Sequence, residues 1–409
     1  MAAPKEHTNC RVCNSDKLIK YLDLGLMPMA NSLFDSEKEA KNAKRYPLEL
    51  MFCDECGLSQ LSIVVDPKEL YEYYTYRSSV NGGYVKHSRQ MAKDLAVKFN
   101  LNKESFHIDV AGNDGALLKE FKDEIGLRVL NVDPAKNLCD IARKEGVDSY
   151  ADFFNFQNSD IILGSFGKAD LITATNVFAH VDNVVDFLSA SKNLLNKNGV
   201  LVLEFPYLVD FIENNEFDTI YFEHLSYFSL LPIMRLCSNS DMKIIDAEKK
   251  SIHGGTIRVT IAHEESDHKV SRNVSTFVNA EIKGGYNKKD IYLGWSDKVY
   301  DMIENLNLNL QAINGNCIGF GASAKGNTLL NSSKIDSKLV KFIADETPEK
   351  IGKYAAGTGI KIVGIDEIKG SEIEFCLILA WNFQFEIIKK LNPIYKGKYL
   401  IPIPELICI

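Results

Sequence analysis

The stretch Phe106-His-Ile-Asp109-Val-Ala-Gly112-Asn-Asp114-Gly115 decides the fold. FHIDV reads as a short strand, and the glycines behind it mark a turn. LLKEFKDE then has helical spacing, and RVLNVD (128–133) is a second strand ending on Asp133. Strand, glycine-containing loop, helix and strand form a βαβ unit, which predicts a parallel sheet with crossover helices. The pattern continues outward. ADLITATNVF (169–178) and GVLVLEFP (199–206) are two further strands around a helix at about 184–196. Upstream, 84–100 reads as a helix on Val85, Met91, Leu95 and Val97. Downstream, MKIIDAEKK and TIRVTIAH within 241–263 alternate as strands about the turn His253-Gly254-Gly255, an antiparallel pair that could close the sheet.

A third part follows. Tyr292, Trp295, Val299, Met302, Leu306, Leu310 and Ile313 recur at three- and four-residue spacing, which predicts a long helix over 288–313. NCIGFG (316–321), VKFIAD (340–345), IEFCLILA (373–380) and KYLIPI (398–403) alternate with helical stretches as a second, smaller α/β domain. The expected domains are 1–75, 76–285 and 286–409, as a chain of 409 residues allows.

Residues 1–75 are turn-rich, with a turn expected around Met27-Pro28. They carry Cys10-x-x-Cys13 and Cys53-x-x-Cys56, with 39 residues between Cys13 and Cys53. Each pair can place two thiolates on one metal from a tight turn, and two pairs complete a tetrahedral four-thiolate zinc site. Four protein ligands leave no open position, so this zinc is expected to be structural. Two disulfides or free thiols are the competing readings, with a redox C-x-x-C a further one. The other five cysteines are scattered singly, the habit of buried thiols in a reducing compartment. With no run of 18 apolar residues and no secretory leader in MAAPKEHTNC, a cytoplasmic protein that neither spans nor binds a membrane is expected. The net charge of −8 argues against a nucleic-acid binder held by phosphate contacts.

Four constellations carry chemistry. The loop with Gly112 and Asp114, Asp133 at the end of strand two, and Asp152-Phe153 fit a nucleoside. Acid at that strand end takes ribose hydroxyls, and Phe153 offers adenine an apolar face. The glycine spacing departs from the dinucleotide fingerprint, and S-adenosylmethionine is a ligand without a pyrophosphate. The string Asp218-Thr-Ile-Tyr221-Phe222-Glu223-His224-Leu-Ser226-Tyr227-Phe-Ser crowds a histidine beside a glutamate and two tyrosines, as for a base tuned by its neighbours. Asn176-Val-Phe-Ala-His180 follows a predicted strand, where α/β folds bind ligands. Gly319-Phe-Gly321-Ala-Ser-Ala-Lys325-Gly326-Asn327-Thr328 resembles two phosphate loops and matches neither. Its helix start and Lys325 could hold a phosphate, or it could be a plain turn.

The order of these motifs resembles a family, the sugar C-methyltransferases acting on nucleotide-linked keto-deoxysugars. The likeness runs through the paired C-x-x-C module, Tyr73-Tyr-Thr-Tyr76-Arg77-Ser78-Ser79, the Gly-Asn-Asp-Gly loop, Asn176-Val-Phe-Ala-His180 and Tyr221-Phe-Glu223-His224-Leu-Ser-Tyr227-Phe-Ser. It continues through His253-Gly-Gly, Gly321-Ala-Ser-Ala-Lys325-Gly-Asn327-Thr-Leu-Leu and a Pro-Ile-Pro-Glu ending. Ala111 stands where the family more often has Gly, and Phe222 interrupts a string often written Y-H-E-H. The resemblance implies a zinc-binding N-terminal domain, a central Rossmann-like adenosylmethionine domain and a Rossmann-like C-terminal domain, with the substrate between the last two.

It also implies roles. His224 would be the base, oriented by Glu223, with Tyr221, His180 and Tyr76 near the developing enolate. Gly112, Asp114, Asp133, Asp152, Phe153 and Asn176 would bind the cofactor. Arg77, Ser79, His253, Lys325 and Asn327 would bind substrate. Methyl transfer to oxygen or nitrogen, an inactive zinc-ribbon binder and a nicotinamide dehydrogenase are the other readings, and the glycine spacing disfavours the last. The oligomeric state, a monomer included, is open.

Overall fold

A computed structural model describes residues 4–66, 77–250, 255–369 and 372–409. A seven-stranded sheet forms the centre. Its order is Met242–Lys250, Thr256–His263, Leu195–Pro206, Ala169–Thr175, Phe106–Val110, Arg128–Val132 and Asp148–Tyr150. The last five strands run parallel, and the hairpin 242–263 closes one edge antiparallel. Phe106–Val110, Ala169–Thr175 and Leu195–Pro206 are nearly continuous apolar runs because helices cover both faces. The chain proceeds outward from Phe106–Val110 to one side, then returns to begin the other side at Ala169–Thr175. The topological switch point therefore lies between these two strands.

The C-terminal domain repeats this order on a smaller scale. Ile362–Gly364, Ile343–Asp345, Cys317–Phe320, Phe375–Ile378 and Lys398–Ile401 are parallel, and Ile407–Cys408 adds an antiparallel edge. Its switch point lies between Cys317–Phe320 and Phe375–Ile378. The helix Lys289–Ala312 leads into it. Tyr292 and Trp295 on that helix pack against Tyr21, and Tyr292 also against Phe52, both in the N-terminal module.

The N-terminal sheet is ordered Ser226–Tyr227, Ser59–Leu61, Arg45–Cys53 and Leu18–Pro28. Its first strand comes from the central domain. Ser226 pairs with Gln60 and Tyr227 with Ser59. The module also reaches the third domain, where Leu33–Phe34 pairs with Tyr354–Ala355. Met27-Pro28 is not a turn, as the sequence suggested, but the end of an 11-residue strand. Proline is tolerated there because this is the sheet's edge, and two register shifts bend the strand in place of a turn. Among the described residues no helix is long and apolar enough to cross a membrane.

Candidate active site

The central switch point gathers the first group of residues. The loop after Phe106–Val110 folds back on the protein. Ala111 N–H bonds the Val132 carbonyl at 2.7 Å. A Cβ on Gly112 would come within 2.6 Å of Asn131 Oδ1 and 2.7 Å of Asp109 Oδ2, so the chain's own packing requires glycine there. Asp133 accepts from Asn113 N–H at 2.9 Å and Ala135 N–H at 2.8 Å. Burial pushes its carboxyl up to about 6, against these two bonds. Buried Asp114 takes the Ser79 hydroxyl at 2.5 Å, with Arg77 Nε at 3.5 Å. Asn176 has φ 55°, and its N–H bonds the Glu204 carbonyl. Asp152 is exposed and Phe153 half-buried, just past Asp148–Tyr150. The structure thus brings Gly112, Asp114, Asp133 and Asn176 to the carboxyl ends of neighbouring strands, joined there by Arg77 and Ser79.

A second group sits beside it. His224 is half-buried, and each ring nitrogen has a partner. Nδ1 lies 2.9 Å from the Thr219 carbonyl, and Nε2 lies 2.9 Å from Tyr221 Oη. A carbonyl only accepts, so Nδ1 carries the proton and the Nε2 lone pair accepts from the Tyr221 hydroxyl. The His180 ring stands edge-on at 4.9 Å and the Tyr221 ring at 4.1 Å. Desolvation, then His180, hold His224 well below the ordinary imidazole value. Desolvation also takes His180 down to about 4. Both rings are therefore neutral at pH 7. Buried Glu223 accepts from Asn31 Nδ2 at 2.9 Å. With both nitrogens of His224 engaged elsewhere, Thr219 and Tyr221 orient the ring, a role the sequence reading gave to Glu223. Tyr76 and His253 lie outside the described residues.

A cavity of ≈ 20 Å³, about one water molecule, is bounded by Glu216, Thr219, His224, Ser226 and Tyr227 on its polar side. Burial raises the Glu216 carboxyl to about 7.

The third group is the cysteine cluster. Cys10 Sγ lies 3.5 Å from Cys56 Sγ and Cys13 Sγ 3.6 Å from Cys53 Sγ, and all four ligand atoms fall within 4.8 Å of one another. A disulfide would need about 2.05 Å. Four sulfurs at about 2.3 Å from one zinc stand roughly 3.8 Å apart, so the donor set fits zinc.

Three family models match the chain: a zinc binding domain at residues 10–71, a methyltransferase domain at 84–247 and a C-methyltransferase C-terminal domain at 251–404. The C-methyltransferase NovU of Streptomyces niveus is 31% identical over 401 residues, which cover 97% of this chain and 95% of that protein. The chain belongs to this family of C-methyltransferases. Solved structures match less than half of the chain, and only loosely. The S-adenosylmethionine-bound magnesium protoporphyrin IX methyltransferase of Synechocystis PCC 6803 is 13% identical, with a TM-score of 0.34 over 44% of this chain and 80% of that one. A methyltransferase of Anabaena variabilis is 20% identical, with 0.34 over 43% and 84%.

The C-methyltransferase uses S-adenosylmethionine as methyl donor and has a four-cysteine zinc-binding module. Its remaining predicted residues sit where the three domains meet. Buried Asn327 donates to the Ala30 carbonyl at 3.0 Å, tying the C-terminal domain to the zinc module. Lys325 Nζ lies 3.8 Å from Glu216 and 5.1 Å from the Trp381 ring centre, with no hydrogen-bond partner among the described residues. The sequence reading missed the groups that hold the His224 turn from the third domain. Thr328 Oγ1 donates to the Ile220 carbonyl at 3.1 Å, and Trp381 Nε1 to Asp218 at 2.6 Å. Thr328 and Asp218 stood in motifs already singled out, without this role; for Trp381 the signal was a tryptophan directly after an apolar strand.

Proposed function

We propose that this C-methyltransferase methylates a nucleotide-linked 4-keto-deoxysugar at C-3 through an enolate, with His224 as the base. Carbon is a poor nucleophile unless it stands beside a carbonyl, where the charge left by a removed proton spreads onto oxygen. The observation that carries the reading is the Nε2 lone pair of His224, fixed by a protonated Nδ1 and flanked by His180 and Tyr221.

Nε2 takes the C-3 proton, and the electron pair moves onto the C-4 oxygen. Substrate entry turns the Tyr221 O–H from Nε2, where it donates in the ligand-free protein, to that oxygen, with His180 beside it; Tyr76 belongs to the same proposed set. When bound, S-adenosylmethionine would supply an electrophilic methyl on a positively charged sulfur, with a neutral thioether as the leaving group. Asp133, Asp114 and Asn176 would hold the donor's ribose and amino-acid portion, and Asp152-Phe153 its adenine. Arg77, Ser79 and Lys325 face the nucleotide's anionic linkage, and the unmet donors of Lys325 support that role. His253 and Asn327 complete the substrate set, Asn327 by fixing the helix behind it.

The test is His224→Asn against a panel of nucleotide-linked 4-keto-deoxysugars. Loss of C-3 hydrogen exchange with solvent together with methylation, by about 10²–10⁴-fold, is expected. Unchanged exchange removes His224 from the base role. A methyl found on oxygen or nitrogen in the product overturns the enolate.

A further inference from the structure

His224 owes its tautomer to a carbonyl, and that carbonyl sits on a short turn. Phe217–Thr219 is a single 3₁₀ turn with no long element to stiffen it. It is held from outside. The indole N–H of Trp381, in the turn after strand Phe375–Ile378, reaches buried Asp218 at 2.6 Å. Besides the Asp218 and Thr219 backbone N–H groups of the turn itself and the charge of Lys325, the indole is the hydrogen bond that holds this carboxylate from outside the turn among the described residues. Thr328 grips the next carbonyl but one, at Ile220, and Lys325 stands over both Trp381 and Glu216. Thr219 then offers its carbonyl to His224 Nδ1 at 2.9 Å and to Tyr227 Oη at 3.4 Å.

We propose that Trp381 is a positioning residue for His224: by holding Asp218 it fixes the Thr219 carbonyl on Nδ1, and so keeps Nε2 free of a proton. The proposal rests on His224 as the base for its consequence in turnover, but its structural content does not need the substrate. Without the restraint the carbonyl can drift, and the Nε2–H tautomer becomes accessible. That tautomer has no lone pair facing the reaction. A tenfold population change corresponds to about 1.4 kcal/mol.

The experiment uses the full chain labelled with ¹⁵N-histidine. Long-range ¹H–¹⁵N correlation reads the tautomer of each ring, and the His224→Gln spectrum assigns the His224 signals by difference. The unsubstituted protein is expected to show Nδ1–H. Trp381→Phe keeps a ring over Lys325 and removes the donor. Its Nε2–H population at His224 is expected to rise about tenfold, while kcat for methyl transfer falls about tenfold and KM for S-adenosylmethionine stays within about twofold. A folded, zinc-loaded Trp381→Phe protein with an unchanged His224 signature overturns the proposal. Should that variant not fold, Thr328→Val loosens the same turn one residue on and must shift the tautomer in the same direction; no shift there overturns it equally. The two readings fail separately. If His224→Asn still exchanges the C-3 proton while Trp381→Phe moves the tautomer, the base assignment falls and the positioning role stands.

Discussion

The central and C-terminal domains repeat one arrangement and use it differently. Each begins at a middle strand, winds to one side, then starts the other side, and each places an aspartate at the end of its second strand. Asp133 accepts from a loop N–H (Asn113) and from the N–H two residues on (Ala135). Asp345 does the same with Ala322 and Thr347. The difference lies in what balances the charge. No cation among the described residues is paired with Asp133, and burial raises it to about 6. Burial works against Asp345 too, yet Lys350 at 3.7 Å holds it below the ordinary carboxylate value. One acid keeps electrostatic capacity for a ligand's hydroxyls; the other is neutralised within its own domain. The C-terminal switch point is likewise filled from inside. Cβ atoms on Gly321 and Gly326 would meet Ala380 and Leu379 at 2.9 and 2.7 Å. What projects from it, Trp381, reaches into the central domain.

The largest effect that can sharpen this contrast comes from the module that touches both halves. Cys53→Ser, or removal of zinc by a chelator, should loosen the hairpin whose strand Ser59–Leu61 pairs with Ser226–Tyr227, two residues past His224. A structural zinc contributes folding free energy outright. Methyl transfer should fall by at least about 10²-fold, while S-adenosylmethionine affinity by calorimetry, on the proposed seat of the donor at the central switch point, changes by only a few-fold. Equal loss of both would show that the central domain does not hold its donor independently.

The next effect separates the two aspartates. Asp133→Ala should weaken S-adenosylmethionine binding about 10²-fold, and Asp345→Ala should lower the melting temperature with affinity unchanged. If Asp345→Ala lost the donor as well, the contrast would be wrong. The pH dependence gives the sign independently. Folded Asp133 holds its proton up to about 6, against 3.8 in the unfolded chain, so protonation favours the folded form. The stability of the donor-free protein should decline between about pH 4 and 6 and then level off. If Asp133 takes the donor's ribose as proposed, donor affinity should run the other way and fall roughly tenfold per unit below about pH 6.

How much of this was readable from the sequence follows from the range of the interactions. The βαβ alternation and Asp133 declare themselves within about twenty-five residues, because apolar periodicity and turn residues are local signals. The cysteine pairs declare themselves by spacing, although the closure spans a long loop. The strand Ser226–Tyr227 does not. It is two residues long, and its partners are more than 160 residues away. Trp381 and Asp218 are 163 apart, and nothing local marks either as belonging to the other. Glu223 was tied to His224 by adjacency, yet neighbours along a turn face different ways, and its carboxylate meets Asn31. The A-K-G-N-T string left a phosphate contact and a plain turn both open. Its Asn327 and Thr328 instead bond backbone carbonyls of the two other domains, a role that composition cannot show.

The smallest effect tests the correspondence at a single matched position. Ala111 and Gly321 each follow the first strand, and each N–H bonds the end of the second, Val132 and Ala344, at 2.7 and 2.8 Å. Both have left-handed φ, 53° and 91°. Gly321→Ala meets the Ala380 Cβ at 2.9 Å on top of its backbone cost, and should destabilise by about 2 kcal/mol or more in chemical denaturation. Ala111→Gly relieves a left-handed alanine, worth about 1 kcal/mol, but returns a similar amount as entropy of the unfolded chain. Its net change should stay within about 1 kcal/mol. Donor affinity should hold or improve, since the loop is already closed by Asp133 and Asn131 rather than by the alanine methyl. A large loss of donor binding in Ala111→Gly would mean that the methyl itself shapes the site, and that the two halves are not equivalent at this matched position.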